Sequence, residues 1–299
     1  MIDNIKIKVK ISESQYNRVC EWLNFKPGID ADKIYNNYFN LRFGYYPNIQ
    51  QLIIENSIHK FYNRVFENID GNYTDFTLTQ FHTACHYICS LLEVDMAETL
   101  IGSKFEFGVN VNTCPYNTFS LICKWLSHAT THINEFYTVP PFTGKPFQRT
   151  SYSSDYKIKV YDKSIQAKIY NKEILRYEIV VTEIRKLKQI LSCGQISLDT
   201  LANHHTWAIL FNFLLTTYQQ VRKIPQIAST AISQSDITSI YSYCCALMRH
   251  DMQSVLTKYH FTKLNSINKK IYDIHNKSPD NFFNELFKRI KEKEKVLIT

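Results

Sequence analysis

Alternation of apolar and polar residues predicts a sheet in the first two thirds of the chain. The stretch YKIKVY at 156–161 places an aliphatic side chain between successive lysines, which is the period of a half-buried strand. The same period or a similar β-rich composition favours further strands at 2–11, 37–46, 50–55, 103–112 and 175–181. The run 56–76 is typical of a strand end followed by a loop, with a turn at Gly71 and Asn72.

Apolar residues at helical spacing occupy other stretches and dominate the last third. They predict helices at 13–24 (capped near Ser12), 78–92, 119–136, 184–191, 198–217, 238–257 and 282–296. The order predicts an α+β fold, with a sheet core followed by a helical C-terminal region. We place a domain change near 195, which gives a sheet domain at 1–195 and a helical domain at 196–299.

The two halves of the sheet region share an order of elements. In the first half, the basic pair His59 and Lys60 precedes a helix and then a strand that carries Glu106. In the second half, Tyr161 and Lys163 precede a strand that carries Glu178. Two related half-sheets meeting face to face would bring both glutamates to one site, although an accidental α+β order explains the pattern equally well.

Composition narrows the class of protein. The 299 residues are 44% hydrophobic, which is typical of a globular chain. Lys and Arg number 35 against 27 Asp and Glu, and the resulting net charge of +8 fits a nucleic-acid partner without establishing one. Because the chain lacks a long apolar run, we expect no membrane span, and because it opens on an alternating strand, we expect no secretory leader. The eight cysteines are expected to be reduced and buried.

A tyrosine, a lysine and two glutamates form the strongest candidate for a catalytic site. Tyr161 and Lys163 stand two residues apart, and Glu106 and Glu178 lie within strands. A tyrosine hydroxyl can attack a phosphate whose charge a lysine offsets, and a carboxylate can hold a divalent metal. This set therefore predicts phosphodiester chemistry.

Each of these residues also has a structural interpretation. The tyrosine can pack its ring in the sheet beside an exposed lysine. The glutamates can lie on an exposed face or form salt bridges with Arg176 or Lys104, since a carboxylate within a sheet needs a partner.

A second cluster resembles a metal site but has a simpler explanation. One helix carries His82, Cys85, His86 and Cys89. A single straight helix cannot wrap four ligands around a tetrahedral ion, so we interpret them as core cysteines beside surface histidines. The chain has no Gly-rich phosphate loop, no GxSxG and no HExxH, so NTP hydrolysis and serine hydrolysis have no support.

Four blocks of the sequence carry a likeness to a known family. They are NSIHKFYNRVFENIDGNYTDF at 56–76, SKFEFGVNV at 103–111, YKIKVYDKS at 156–164 and ILRYEIVV at 174–181. In order and approximate spacing, the chain resembles the rolling-circle replication initiators of filamentous phages (the gene II and X type) and of small plasmids. The likeness covers roughly 1–195 and implies an antiparallel sheet core of the Rep or HUH endonuclease type.

The resemblance implies an enzyme that nicks and rejoins single-stranded or hairpin origin DNA. Tyr161 would attack a phosphate, remain linked to the 5′ end and leave a 3′-OH primer, with Lys163 as the assisting cation. Glu106 and Glu178 would hold Mg²⁺ or Mn²⁺, with His59 as a further ligand. The remaining residues assigned to this site would contact DNA: Lys60, Asn72, Lys145, Arg149 and Lys159. A host helicase and polymerase would be its partners in the cytoplasm of a bacterial host.

The chain departs from the family pattern at the metal ligands. Relatives often carry a histidine where this chain reads Asp70-Gly71-Asn72, and a His-hydrophobic-His pair is absent. The acidic residue at Glu106 is more often Asp in the phage proteins. Tyr152 is a rival nucleophile, whereas Tyr156 is expected to be buried. The alternative functions are a non-catalytic nucleic-acid-binding regulator, and a mobilisation or transposition endonuclease with the same chemistry.

Overall fold

The computed structural model describes residues 1–24, 28–30, 33–129, 133–139, 147–225 and 232–299. Within these ranges, no helix is both long enough and apolar enough to cross a bilayer.

Twelve strands in the described ranges form one sheet whose neighbours all pair antiparallel. They are β1 Ile2–Lys10, β2 Gly28–Asp30, β3 Lys33–Tyr38, β4 Leu41–Tyr46, β5 Gln51–Ser57, β6 Leu100–Asn112, β7 Trp125–Ala129, β8 Ile133–Val139, β9 Gln148–Tyr152, β10 Tyr156–Asp162, β11 Ile174–Val181 and β12 Val221–Lys223. The strand order is β12-β7-β8-β9-β10-β11-β6-β1-β5-β4-β3-β2, so β11 and β6 lie at its centre.

Helices connect these strands and dominate the C-terminal third. They are α1 Glu13–Trp22, α2 Ile58–Tyr62, α3 Leu78–Leu92, α4 Thr118–Ile122, α5 Lys163–Ala167, α6 Ile184–Leu191, α7 Leu198–Leu201, α8 His204–Gln220, α9 Gln234–Cys244, α10 Ala246–Val255, α11 Lys258–Asn276 and α12 Phe282–Leu297. The expected α+β class, with an antiparallel sheet and C-terminal helices, is confirmed. Ser12 caps α1 as expected, with its side chain accepting from the Gln15 amide.

Five sequence predictions of secondary structure are wrong. The helix expected at 119–136 ends at Ile122, and β7 and β8 follow because they pair with β12 and β9. The strand expected at 37–46 is broken by a turn between β3 and β4. The loop expected within 56–76 contains α2 and a π-helical turn. In the region 119–136, pairing between strands outweighed the helical spacing of the apolar residues. The helices expected at 198–217 and 238–257 are each divided in two, the first into α7 and α8 and the second into α9 and α10.

The two halves of the sheet join edge to edge rather than face to face. β6 carries Glu106 and pairs directly with β11, which carries Glu178. Gly108 permits this pairing, since a Cβ there would lie 2.3 Å from the Tyr177 carbonyl oxygen and 2.8 Å from Glu178 Cα. The close approach brings the two glutamates to one face of neighbouring strands.

The hydrophobic core lies on one face of the sheet. Helices α8 and α12 pack against each other, α12 also contacts β6, and α3 meets α8 where the Phe81 and Trp207 rings lie 5.7 Å apart. One cluster of buried apolar residues runs from Met1 to Ile298. Residues on both sides of position 195 therefore share this core, and the division at 195 stays a prediction.

Lys223, at the end of β12, is buried in an aromatic environment. Its ammonium donates to the carbonyl oxygens of Tyr218 and Val221 at 2.9 and 3.0 Å and lies 3.9 Å from the Tyr218 ring centroid. No ion pair in the described part of the chain involves it. Burial lowers the pKa of Lys223 to about 7.

We expect this lysine to make stability depend on pH. An unfolded lysine titrates near pH 10.4, so between about pH 7 and 10.4 the unfolded state binds an extra proton and stability rises with pH. The slope approaches about 1.4 kcal/mol per pH unit. Urea unfolding of the wild type and Lys223→Met at pH 7 and 9 measures it. The wild type should gain stability relative to the variant as pH rises, whereas parallel profiles would contradict the expectation.

Candidate active site

A polar cluster lies on the sheet face opposite the core. In β10 and β11, Lys159 pairs with Glu178 and Tyr161 pairs with Arg176. Residues opposite each other in antiparallel strands point to the same face. Arg176 in turn lies opposite Asn110 of β6. Strand register alone therefore places these five side chains on one surface.

An irregularity in β1 adds Asp3 to this surface. The register between β1 and β6 shifts between Ile2 and Ile5, and the extra residue lies between the two. A second shift, near Lys104 with its φ of 83°, precedes Glu106. Bulges of this kind change the direction of side chains and are frequent beside functional sites.

Glu178 is the centre of the cluster. One carboxylate oxygen accepts from the Lys159 ammonium at 2.8 Å. The other accepts from the Tyr161 hydroxyl and from the Arg176 guanidinium, both at 3.3 Å. Its side chain is 2% exposed, so these contacts replace the water that an ionised carboxylate needs.

Arg176 connects Glu178 to the strand β1. Its guanidinium lies 3.2 Å from Asp3 Oδ2 and donates to Asn110 Oδ1 at 3.3 Å. Ser57 also donates to Asp3. Burial opposes ionisation of Asp3, but the charge of Arg176 holds its pKa well below the usual range. The result is a buried ionic network that spans β1, β6 and β11.

Glu106 forms salt bridges with two lysines. Its Oε1 lies 3.5 Å from Lys159 Nζ and 3.7 Å from Lys104 Nζ. The structural alternative given by the sequence, salt bridges from the glutamates to Arg176 and Lys104, is therefore present. Lys159 links the two glutamates.

The charges within the cluster determine which groups are ionised. Burial opposes ionisation of Glu178, but Lys159 and Arg176 outweigh it and lower its pKa. Burial and the charge of Glu178 raise the pKa of Glu106. Burial would lower the pKa of Lys159, but Glu178 and Glu106 raise it. Glu178 is thus ionised and accepts the hydrogen bond of the Tyr161 hydroxyl.

Tyr161 lies outside the hydrophobic core but is nearly covered. Its side chain faces the polar cluster and the residue is 6% exposed. Burial and the negative charge of Glu178 raise the pKa of Tyr161 well above its ordinary value of 10. The phenol is therefore protonated at neutral pH and needs a base to act as a nucleophile.

Lys163 lies beside Tyr161, although the two are not on one strand. The Asp162 side chain accepts from the Ile165 amide and caps α5, so β10 ends and Lys163 begins a helix. The Lys163 ammonium is 5.8 Å from the Tyr161 ring centroid. Burial lowers the pKa of Lys163 to about 8.

The segment 68–75 lies over the part of the cluster that contains Lys163. Hydrogen bonds of Asn72 hold it there. The Asn72 side chain accepts from Lys163 at 2.7 Å and donates to Asp3 at 2.7 Å. Its carbonyl oxygen accepts from Asn110 at 3.3 Å. Asn72, expected to bind DNA, thus holds the segment against three members of the cluster.

His59 lies apart from the two glutamates. Its ring stacks on Phe76 with centroids 4.6 Å apart, and its Nε2 contacts the Thr74 hydroxyl at 3.1 Å. Burial lowers the pKa of His59 to about 3, so the imidazole is neutral. The structure does not bring it together with Glu106 and Glu178.

The other residues expected to bind DNA have different surroundings. Lys60 forms a salt bridge with Asp70 at 3.0 Å. Arg149 donates to the carbonyl oxygens of Cys123 and Phe136 at 2.9 and 2.7 Å, which are structural contacts. Lys145 lies outside the described residues. Their contacts with DNA stay predictions.

The rival tyrosine is accessible. Tyr152, at the end of β9, is 54% exposed and lies opposite Lys157, whose ammonium is 6.0 Å from its ring. Tyr156 is buried on the core face, 5.6 Å from the Phe213 ring. The expected burial of Tyr156 is confirmed, and Tyr152 remains the alternative nucleophile.

The cysteines are all unpaired, as expected of thiols in the reduced state. Cys85 and Cys89 of α3 are buried in the core, which agrees with their interpretation as core residues. Cys114 and Cys123 are exposed, so the expected burial of every cysteine is wrong. The exposed His82 and His86 rings lie 4.4 Å apart.

The glutamate pair does not fit a divalent metal in this arrangement. Mg²⁺ and Mn²⁺ prefer several free oxygen ligands, whereas both glutamates are bound to Lys159. Nowhere in the described ranges do three His, Cys, Asp or Glu side chains converge on a site able to hold a metal. The expected Mg²⁺ or Mn²⁺ therefore has no set of donors here.

Sequence reasoning missed two members of the cluster, Asp3 and Asn110. A carboxylate between Ile2 and Ile5 interrupts the regular alternation of β1, and this was the available signal for Asp3. Asn110 had no distinguishing signal among the polar residues of β6.

Comparisons with known proteins give one structural likeness. No family model matches the chain, and no curated protein matches it. The chain is similar to the structure of a rolling circle replication initiator protein from Geobacillus stearothermophilus, with 11% identity and a TM-score of 0.38. The match covers 90% of this chain and 96% of that one. At this identity and TM-score, the likeness does not by itself assign an activity.

Proposed function

We propose that this protein is a rolling-circle replication initiator that nicks and rejoins single-stranded origin DNA through Tyr161. One observation carries the proposal: the two oxygens of Glu178 bind the Tyr161 hydroxyl and the Lys159 ammonium. A nucleophile, its base and a cation for the phosphate therefore lie within one hydrogen-bonded unit. The sequence resemblance at 156–164 and 174–181 agrees with this assignment.

The reaction follows from these roles. As the Tyr161 oxygen bonds to phosphorus, its proton passes to Glu178, and the bond from phosphorus to the 3′ oxygen breaks. The 3′ oxygen takes a proton from water and becomes a 3′-OH primer, while the 5′ phosphate remains on the tyrosine. Lys163, largely protonated at neutral pH with a pKa of about 8, offsets charge on the phosphate. Attack by a 3′-OH on the phosphotyrosine reverses these steps and rejoins the strand.

Access to Tyr161 requires movement of the segment 68–75. The contacts of Asn72 with Lys163, Asp3 and Asn110 hold that segment over the cluster. A phosphate that displaced Asn72 would receive the hydrogen bond that Lys163 now donates. Binding of the DNA strand would thus expose the nucleophile and engage its cation in one event.

The sheet face that carries the cluster suits a polyanion. Lys8 and Lys10 of β1 alternate with buried aliphatic residues and so point away from the core. Lys104 is 56% exposed next to Glu106. Basic side chains on a sheet face attract a DNA strand irrespective of its sequence. Host helicase and polymerase remain proposed partners of the nicked complex.

The covered state of Tyr161 favours one alternative, a non-catalytic nucleic-acid-binding regulator. At 6% exposure the Tyr161 side chain has little contact with solvent, and its hydroxyl is bound to Glu178 within the ionic network. Mobilisation or transposition would use the same chemistry as the initiator, and the DNA substrate separates those roles.

The test is a search for the covalent intermediate. The protein is incubated with single-stranded oligonucleotides from the DNA element that encodes it, with Mn²⁺ and separately with EDTA. Denaturing electrophoresis and peptide mass mapping then locate any adduct. An adduct on Tyr161 supports the initiator. Tight binding with no adduct on any oligonucleotide would favour the regulator.

We expect DNA binding to weaken with salt. For a single strand, the logarithm of the association constant falls by about 0.7 per contacted phosphate for each unit of log salt concentration. The variant with Lys8→Gln and Lys10→Gln should reduce that slope by about 1 to 2, since each lysine neutralises one phosphate. Fluorescence anisotropy at several salt concentrations measures the slope. An affinity that is independent of salt would count against a nucleic-acid partner.

A further inference from the structure

An ammonium occupies the position between Glu106 and Glu178 where a metal was expected. Lys159 Nζ is 2.8 Å from Glu178 Oε1 and 3.5 Å from Glu106 Oε1. The Lys159 side chain is only 18% exposed, so its contacts hold it within the cluster rather than at the surface. The second oxygen of Glu178 is already bound to Arg176 and to the Tyr161 hydroxyl.

The carboxylates of the cluster are paired with cationic side chains rather than with a metal ion. Its carboxylates are Asp3, Glu106 and Glu178, and the cations bound to them are Lys104, Lys159 and Arg176. Each buried carboxylate therefore has a cationic partner. A divalent ion would have to displace Lys159 and leave an unpaired, largely buried ammonium, which is costly.

Lys159 is also placed to act on the same phosphate as Tyr161. The two residues are separated by one position in β10 and point to the same face, so their Cα atoms are about 6.6 Å apart. Glu178 contacts both side-chain ends. An ammonium here can offset negative charge on a phosphate oxygen during attack by the tyrosine.

We propose that Lys159 is the built-in cation of this site and takes the place of a divalent metal at Glu106 and Glu178. The site should therefore bind no Mn²⁺ as long as Lys159 is present. This part of the proposal concerns the chain alone. The consequence that DNA cleavage proceeds without a metal rests on the proposed function.

Manganese binding by the full-length chain tests the first part. Free Mn²⁺ is followed by electron paramagnetic resonance for the wild type, Lys159→Met and Lys157→Met. Methionine keeps a long apolar side chain but removes the charge. Lys159→Met should gain a saturable site, with a dissociation constant at least about tenfold below any wild-type binding, or roughly 1.4 kcal/mol. Adding Glu178→Gln to Lys159→Met should abolish that site.

Lys157→Met is the matched control, because Lys157 lies on the same strand and face and its charge interacts with both glutamates, but it forms no salt bridge with either of them. It should bind no more Mn²⁺ than the wild type, so loss of positive charge alone does not create the site. Circular dichroism verifies that each variant is folded.

Two outcomes would overturn the proposal. The first is a wild-type Mn²⁺ site that Glu178→Gln removes, since the metal would then displace Lys159. The second is a folded Lys159→Met that binds no Mn²⁺, since the glutamates would then form no metal-competent pair. If Lys159→Met does not fold, Mn²⁺ binding by the wild type becomes the test: a site that Glu178→Gln removes overturns the proposal, and the absence of such a site supports it.

The cleavage assay separates this proposal from the proposed function. Cleavage by the wild type that is equal in Mn²⁺ and in EDTA supports both. If cleavage is lost in EDTA, the initiator assignment stands and the role of Lys159 fails. If no DNA is cleaved but the Mn²⁺ results are as expected, the assignment of Lys159 as the cation of the site stands and the proposed nicking activity is wrong.

Discussion

Tyr161→Phe should abolish the covalent DNA adduct and lower strand cleavage by at least about a thousandfold, because it removes only the hydroxyl that we propose as the nucleophile. DNA affinity should remain unchanged, since the phenyl ring keeps its position on the sheet. Stability should fall by about 1 kcal/mol or less, because Glu178 keeps its contacts with Lys159 and Arg176. Denaturing electrophoresis, fluorescence anisotropy and urea unfolding measure the three quantities.

Tyr152→Phe is the control for this substitution. It removes an exposed phenol from the neighbouring strand and should leave the adduct intact. If the adduct persists in Tyr161→Phe and disappears in Tyr152→Phe, Tyr152 is the nucleophile. The proposed enzyme class would then be retained, with Tyr152 in place of Tyr161 as the nucleophile.

Arg176→Met should lower the free energy of unfolding by about 3 to 5 kcal/mol, the cost of leaving buried charges without their partner. Arg176 is 3% exposed and binds both Asp3 and Glu178, so its loss affects two buried carboxylates. Arg176→Lys should also be destabilising, because an ammonium cannot reproduce the planar contacts of a guanidinium with both partners. Urea unfolding at pH 7 measures the change.

Arg185→Met provides the matched control. Arg185 also forms an ion pair, with Asp155 at 3.1 Å, but its side chain is 82% exposed. Its loss should change stability by about 0.5 kcal/mol or less, as for other surface pairs. Equal effects of the two substitutions would show that the network around Arg176 contributes no more than a surface salt bridge.

Local patterns were sufficient where an element depends on its own residues. The period of apolar positions and the Thr77 cap fix α3 at Leu78–Leu92, the range expected from the sequence. Strands β10 and β11 lie within one residue of their expected bounds. The same periodicity put Tyr161 and Lys159 on the face opposite Ile158 and Val160.

Non-local pairing decided the regions where the expectations were wrong. β7 and β8 replace the helix expected at 119–136 because they form hydrogen bonds with each other and with β12 and β9, and of these partners β12 is distant in the sequence. The helical spacing of apolar residues there was real but insufficient. Buried strands and buried helices both need apolar residues, and only the available partners choose between them.

The sequence by itself determined the α+β class, the strands that carry the candidate residues and the identity of Tyr161, Glu106 and Glu178 as candidates. Only the tertiary structure decided how those residues meet. The shifted register of β1 brought in Asp3, and the pairing of β6 with β11 placed Lys159 between two glutamates expected to bind a metal. The physical reason is that a buried charge takes its partner from whichever strand lies beside it, and register is a property of strand pairs rather than of single segments.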